Sequence, residues 1–344
     1  METMSDQLDR EKRAVSYDVY DMTVRQLVDM VGAKEINIAP DYQRHFVWDA
    51  NRESELVESI YLGIPVPSLY MAANRDGSWE VVDGVQRLST LAHYCGSDDT
   101  VRKIGREQPL IISGLEKLTA FNKMSFSDLP KSTQLYFTLR PVRVTTLNDK
   151  SDFGVRYDLF ERLNTGGVRL HPQEIRNCVF RGRFRDFLKE SATTEDYRKV
   201  ARLPQNEQEN ATYEELVLRF FAFCERYEKF DHDVGKFLND YMLDHADSLP
   251  PADLMDLFYL VMRMANKALP NGIVRGTRNQ TPLNLYEAVV VGLALALKSG
   301  KDIHADRLQQ IMNSEDLRKL TTGATNSRKM VTGRINYVRD ALTD

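Results

Sequence analysis

The sequence is short of everything that would mark a stapled or metal-built protein. Its cysteines are three, Cys95, Cys178 and Cys224, and they lie far apart. With no C-x-x-C pair, a structural zinc site or a disulfide framework is excluded, and scattered thiols fit a reducing cytoplasm. H-E-x-x-H is missing, and the six histidines (His45, His93, His171, His232, His245, His304) form no pair or triad legible in sequence. The absence of G-x-x-x-x-G-K-[ST] excludes a standard P-loop NTPase. Long apolar runs are also missing. The best candidate, Ala288 to Leu297, is too short to cross a bilayer and contains Gly292. Met1 to Arg13 is charged throughout and has no apolar signal core, so a cytoplasmic protein is expected. Charge of one sign is lacking too. Forty-six lysines and arginines against 50 acids leave −4, so any anion-binding surface must be local.

What is present is globular. The chain has 344 residues, 42% hydrophobic and 28% charged, enough for one large domain or two ordinary ones with a sizeable core. Residues 1–15 read as a polar, flexible start. Helical spacing from Tyr17 to Val31 (Val24, Leu27, Val28, Val31) stops at Gly32. Glu35 to Ile38 is a short strand candidate. Asp49 or Asn51 can cap a helix that runs to Leu62, before the extended connector Ile64-Pro65-Val66-Pro67. Ser68 to Ala72 and Trp79 to Val82 look like paired strands around Asn74-Arg75-Asp76-Gly77. Thr138 to Leu147 reads as another strand, placed near an edge by Pro141. Phe153, Tyr157, Phe160 and Leu163 form one helical stripe. Beyond about residue 176 strand signals stop. Thr212-x-x-Glu215 reads as a capping box, and helical spacing recurs through Leu254–Leu269, Leu285–Leu297, Arg307–Met312 and Val331–Leu342.

Four patterns carry chemistry. In Asp83-Gly84-Val85-Gln86-Arg87 a strand ends in a glycine turn and opens a helix, which aims backbone N–H groups at one point. Arg87 can hold a phosphate bidentately, Gln86 adds an amide, and Asp83 can hold Mg²⁺ or polarise water. The plainer reading makes Asp83 a helix cap and Arg87 a surface ion pair. Tyr42-Gln43-Arg44, followed by Phe46 and Trp48, interleaves arginine with aromatics, which suits a stacked base or a phosphate. Phe46 and Trp48 read as core, while for Gln43 and Arg44 both readings stand. Asn164-Thr165-Gly166-Gly167 can form an anion nest or simply a helix C-cap. Finally, two stretches are locally basic. Arg169 to Lys189 holds Arg169, Arg176, Arg181, Arg183, Arg185 and Lys189 against two acids, and Arg318 to Asp344 holds six basic residues against two acids. Either can meet a phosphate backbone or be a solvated face, the first with Phe180, Phe184 and Phe187 in the core.

Taken in order, Tyr42-Gln43-Arg44, Trp48, Ile64-Pro65-Val66-Pro67, Asp83-Gly84-Val85-Gln86-Arg87-Leu88-Ser89-Thr90-Leu91 and Phe160-Glu161-Arg162-Leu163-Asn164-Thr165-Gly166-Gly167 resemble the N-terminal domain of GmrSD-type restriction enzymes, in the ParB/sulfiredoxin-like superfamily. The resemblance covers roughly residues 20–225. The residue patterns give an α+β protein, an α/β domain over 16–176 and then an all-helical domain over 177–344, and the resemblance makes the first a ParB/sulfiredoxin-like nucleotide-binding domain. The resemblance implies a domain that binds and hydrolyses a nucleoside triphosphate, with Mg²⁺, in bacterial defence against phage DNA. On this reading Asp83, Gln86 and Arg87 are catalytic, and Asp83 is the metal ligand. Tyr42, Gln43, Arg44, Gly84, Asn164, Thr165, Gly166 and Gly167 bind nucleotide; from the basic stretch, Arg176, Arg181, Arg183 and Arg185 are expected to contact DNA. The family hallmark is Asp-Gly-Gln-Gln-Arg, and here Val85 stands in place of the first glutamine. Many members carry a His/Asn nuclease signature that is missing here, so cleavage is expected from a partner protein or from the N-terminal domain itself. A DNA-binding sensor without turnover, and a subunit that docks a nuclease, remain as alternatives, with the oligomeric state open.

Overall fold

The computed structural model describes residues 3–4, 6, 16–38, 48–74, 76–148, 153–163, 170–204, 211–246, 248–276, 279–323 and 325–343. The chain forms two compact units, Met1–Leu170 and His171–Asp344. The division falls ahead of the expected residue 176, because the helix that carries Arg176 is built into the second unit.

In the first unit β1 (Tyr17–Thr23) leads into α1 (Val24–Gly32), then β2 (Ile36–Asn37) and α2 (Ala50–Tyr61). The β3 (Leu69–Ala73) and β4 (Trp79–Asp83) strands follow, then α3 (Val85–Cys95), α4 (Asp98–Lys103), α5 (Lys131–Thr138), β5 (Pro141–Leu147) and α6 (Phe153–Leu163). One mixed sheet runs in the order β1-β5-β3-β4-β2. Its core joins Leu69, Met71, Val81 and Val144 of the strands to Val24, Leu27, Val57, Leu88 and Phe137 of the helices.

Three expectations are corrected here. Tyr17–Thr23 is strand, and the helix begins only at Val24, where Thr23 closes a capping box with Gln26. β5 is internal, paired with β1 on one side and β3 on the other. Pro141 is tolerated because it is the first residue of the strand, opposite Thr23 at the end of the ladder. Asp49 caps α2 by accepting from the Arg52 N–H at 2.9 Å. Trp48 is only half-buried, with the Arg52 guanidinium 4.7 Å from its ring centroid, so it is not a core residue.

Every described element of the second unit is helical: α7 (Pro172–Val179), α8 (Arg183–Ser191), α9 (Glu195–Val200), α10 (Thr212–Arg226), α11 (Val234–His245), α12 (Ala252–Ala268), α13 (Leu283–Lys298), α14 (Leu308–Asn313), α15 (Glu315–Leu320) and α16 (Arg328–Thr343). α13 is apolar around most of its circumference and is buried from Leu285 to Ala294, as a central helix must be. At Gly292 a Cβ would sit 2.6 Å from Val338 Cβ, so the missing side chain lets α13 and α16 approach closely. The expected capping box at Thr212 is not formed. Ala211 takes the cap position, and Glu215 is turned to ion pairing instead. Among the described residues no helix is long and apolar enough to cross a membrane.

A chain of buried charges crosses this unit. Arg176 Nη1 lies 3.1 Å from Glu215 Oε2, and Arg219 Nη2 lies 2.7 Å from Glu215 Oε1. Arg219 and Arg334 both pair with Glu287. Burial alone would push the Glu215 carboxyl up, but the Arg219 and Arg176 charges prevail and hold it down at about 2. A carboxyl depressed in the folded state contributes stability that is complete above its unfolded value, near 4.3, and is lost as pH falls through the folded one. Urea unfolding between pH 5 and pH 2 should therefore show a stability loss that Glu215→Gln no longer shows over that window.

Candidate functional site

β4 reaches its end at Asp83, and the chain turns into α3 through Gly84. That residue sits at φ 101°, a left-handed conformation that favours glycine. A Cβ here would also run into Leu69 Cδ2 and lie 3.3 Å from Arg87 Nη2. The turn therefore needs glycine for both conformation and space. α3 starts with no side-chain cap and no acid in its first turn. Its opening N–H groups have no intrahelical acceptors, and the helix dipole adds partial positive charge.

The side chains of the motif are engaged. Asp83 does not cap α3; its Oδ2 lies 2.5 Å from Arg87 Nη2. Arg87 Nη1 donates to the Ser68 carbonyl at 3.0 Å and to the Pro67 carbonyl. In this geometry the Arg87 fork is engaged by protein acceptors. The fork fastens the Ile64–Ser68 connector and Asp83 to the start of α3. The i,i+4 spacing of Asp83 and Arg87 allowed that pairing.

Gln86 reaches the other way. Its Oε1 accepts the Trp48 N–H at 3.2 Å. Arg106 Nη2 donates to the Trp48 carbonyl at 3.0 Å, so one peptide unit on each side of Trp48 is tied down. Arg106 also lies 3.6 Å from Glu53 Oε1, and Glu53 Oε2 lies 2.6 Å from His93 Nδ1. The remaining His93 nitrogen, Nε2, faces the Gln108 carbonyl at 2.9 Å. Glu53, His93 and Arg106 were missed in sequence. Nothing local marks Glu53, because its partner His93 lies 40 positions on. Gln86 and His93 are seven residues apart on α3, two turns, so one helix face carries both ends of the network.

Tyr42, Gln43, Arg44, Asn164, Thr165, Gly166 and Gly167 lie outside the described residues, as does Arg169. Among the described residues no group of three His, Cys, Asp or Glu side chains could hold a metal ion. Asp83 offers a carboxylate at the turn, with one oxygen on Arg87. That donor set suits Mg²⁺ carried in by phosphates, which keeps most of its ligands from water and substrate.

In the second unit the four arginines expected on DNA separate. Arg176 is 2% exposed and is held by Glu215, Gln173 and Asn239. It is a core residue, which corrects its assignment to a DNA surface. Arg185 pairs with Asp186 at 2.5 Å, Arg181 is half-buried, and Arg183 is exposed. Phe180, Phe184 and Phe187 are buried.

A strand that breaks at a left-handed glycine into an uncapped helix, with an acid and an arginine clamped across the turn, is the candidate site of this α/β unit. Residues 25–181 match the family model of the GmrSD restriction endonuclease N-terminal domain. Over that segment, a little under half of the chain, the sequence is similar to GmrSD-type N-terminal domains. The match takes in Asp83–Arg87 and Trp48, and runs past Leu170 to Arg181, through α7. The comparisons with curated proteins and with solved structures return no match.

Proposed function

We propose that the first unit, with the sheet and turn of a ParB/sulfiredoxin-like domain, binds a nucleoside triphosphate at the Asp83–Arg87 turn and hydrolyses it. The protein would then be a cytoplasmic component of a restriction system acting on DNA, with cleavage supplied by a partner. The observation that carries this reading is the Gly84 turn, which opens an uncapped helix beside the Asp83–Arg87 pair inside the matched family segment.

On this reading the first-turn N–H groups of α3 receive the phosphate oxygens. Arg87 keeps Nη1 on the Ser68 carbonyl and turns Nη2 from Asp83 to the phosphate, a short exchange between two anions. Asp83, released, would hold the Mg²⁺ that accompanies the nucleotide; the ion would supply charge neutralisation. Gln86, bound to Trp48, keeps α3 in register with the chain that follows Tyr42–Arg44. Val85 sets no barrier to the backbone part of this scheme, because N–H groups are independent of the side chain.

Phosphate release by the purified full chain tests the proposal. Wild type should release phosphate in the presence of Mg²⁺. Asp83→Asn should bind nucleotide but release phosphate roughly a hundredfold more slowly, the scale of losing one electrostatic contact in a transition state. Equal rates in both proteins would remove hydrolysis at this turn.

A further inference from the structure

The sheet of the first unit ends in two unlike edges. On one side lies β2, only two residues long. On the other lies β1, seven residues with an unbroken ladder to β5. Open edges invite further strands, and proteins blunt them with short strands, proline, lysine or bulges. β2 is blunted by its length. β1, Tyr-Asp-Val-Tyr-Asp-Met-Thr, has none of these devices. It also carries apolar surface into water. Tyr17 is 57% exposed, Val19 51% and Tyr20 41%, the last although its ring stacks on Trp79.

The ladder fixes which backbone groups point outward. The Asn148 N–H donates to the Ser16 carbonyl at 3.0 Å, and the Val24 N–H to the Arg140 carbonyl at 3.0 Å. Both bonds continue the antiparallel β1–β5 register, so the even-numbered residues of β1 turn N–H and C=O toward β5. The odd-numbered residues turn theirs to the open edge. Thr23 commits its N–H to Gln26 Oε1 at 2.9 Å. Among the described residues nothing bonds the outward N–H and C=O groups of Tyr17, Val19 and Asp21.

That row is complementary to itself. Two copies of β1 related by a two-fold axis through the sheet run antiparallel, with odd residues opposite odd. With the axis at Val19, Val19 faces Val19 of the second copy, and Tyr17 faces its Asp21. Every outward donor then meets an outward acceptor. On one face the two Val19 side chains meet, with Tyr17 diagonal to them; on the other, the two Tyr20 rings lie diagonally within reach. Acids never face acids. Asp18 faces Tyr20 of the second copy, and Asp21, paired with Arg143 at 3.0 Å, faces its Tyr17. An axis at Asp18 or Asp21 would set two aspartates against each other. An axis at Tyr20 would set Tyr17 against Thr23, whose N–H is taken.

We propose that β1 is a homodimer interface, joining the first-unit sheets of two copies across a two-fold axis at Val19. The pairing consumes both β1 edges and leaves only the two-residue β2 edges, so association stops at two. It does not depend on the Asp83–Arg87 reading, and phosphate release plays no part in its test.

Sedimentation of the full chain across micromolar concentrations provides that test. Wild type should show a monomer–dimer equilibrium with no larger species. Val19→Lys sets like charges together on the axis and should weaken the dimer roughly tenfold or more. Val19→Pro removes an outward donor while sparing the β5 ladder, and should weaken it as well. Ile111→Lys changes a comparably exposed apolar residue, 58%, away from β1 and should leave the dimer intact. Cysteines give the register. Asp18→Cys/Tyr20→Cys places thiols in facing non-hydrogen-bonded pairs, with Cα atoms about 4.5 Å apart, and should link two copies on oxidation. Asp18→Cys/Asp21→Cys puts them on opposite faces and should not. This pair decides the matter even where a Val19 variant folds poorly. A monomeric wild type, assemblies larger than two, a dimer untouched by Val19→Lys, or equal crosslinking in both cysteine variants overturns the interface.

Discussion

Arg87→Ala should lower nucleotide hydrolysis by roughly 10²–10³-fold and destabilise the first unit at the same time. The two effects have different origins. The catalytic part follows from removing a preorganised cation from a developing phosphate charge. The structural part follows from the three acceptors that Arg87 serves: Asp83, the Ser68 carbonyl and the Pro67 carbonyl. Losing hydrogen bonds to a charged group should cost about 1–3 kcal/mol. Arg87→Lys separates them. Lysine keeps the charge but cannot span a backbone carbonyl and a phosphate with a planar fork. It should recover much of the stability seen by urea unfolding, and little of the phosphate release. If Arg87→Ala hydrolyses as wild type does, Arg87 serves the fold alone and the proposed exchange between Asp83 and phosphate fails.

The largest effect on stability is expected at Glu287. Its carboxylate, 1% exposed, answers Arg219 and Arg334 together. Glu287→Ala leaves two guanidiniums in the helical core without that anion. Breaking a buried ion pair from one side costs about 3–5 kcal/mol, because the remaining charge stays desolvated. Here Arg334 is stranded and Arg219 is left with Glu215 alone, so the second unit should unfold at markedly lower urea. Arg334→Met should cost less, since it removes a cation rather than stranding one, and an apolar chain can fill the space. Urea titrations of both variants check the order; a milder loss in Glu287→Ala than in Arg334→Met would contradict the charge-stranding account.

Legibility in the sequence followed the distance over which the chemistry acts. The Asp83–Gly84 junction, the Asp49 cap and the apolar stripe of α13 are set by neighbours within a few residues, and their positions were readable. β1 was not. Tyr17–Thr23 is short, a helix with strong periodicity follows at once, and its partner β5 lies more than a hundred positions away. The same distance hid Arg176. Its partners Glu215 and Asn239 are 39 and 63 residues further on, so a basic cluster looked like one surface. At the site, the motif residues were legible but their engagement was not. Spacing allowed an Asp83–Arg87 pair, yet the Pro67 and Ser68 carbonyls that complete the clamp become visible only when the fold brings the connector to the start of α3. Gln86 likewise was legible as a motif residue, but its hydrogen bond from the Trp48 N–H was not.

The place of β5 sets an order of assembly. It is the last strand of its sheet to be synthesised, yet it is inserted between the first strand and the third. While a ribosome is still translating residues before Pro141, β1 has no neighbour and one flank of β3 is bare. The β3–β4 hairpin and the helices around it can collapse early, but the sheet closes only when residues 141–147 emerge. Nascent chains paused before that point expose two unsatisfied strand edges, the kind of surface on which chaperones act and from which aggregates start.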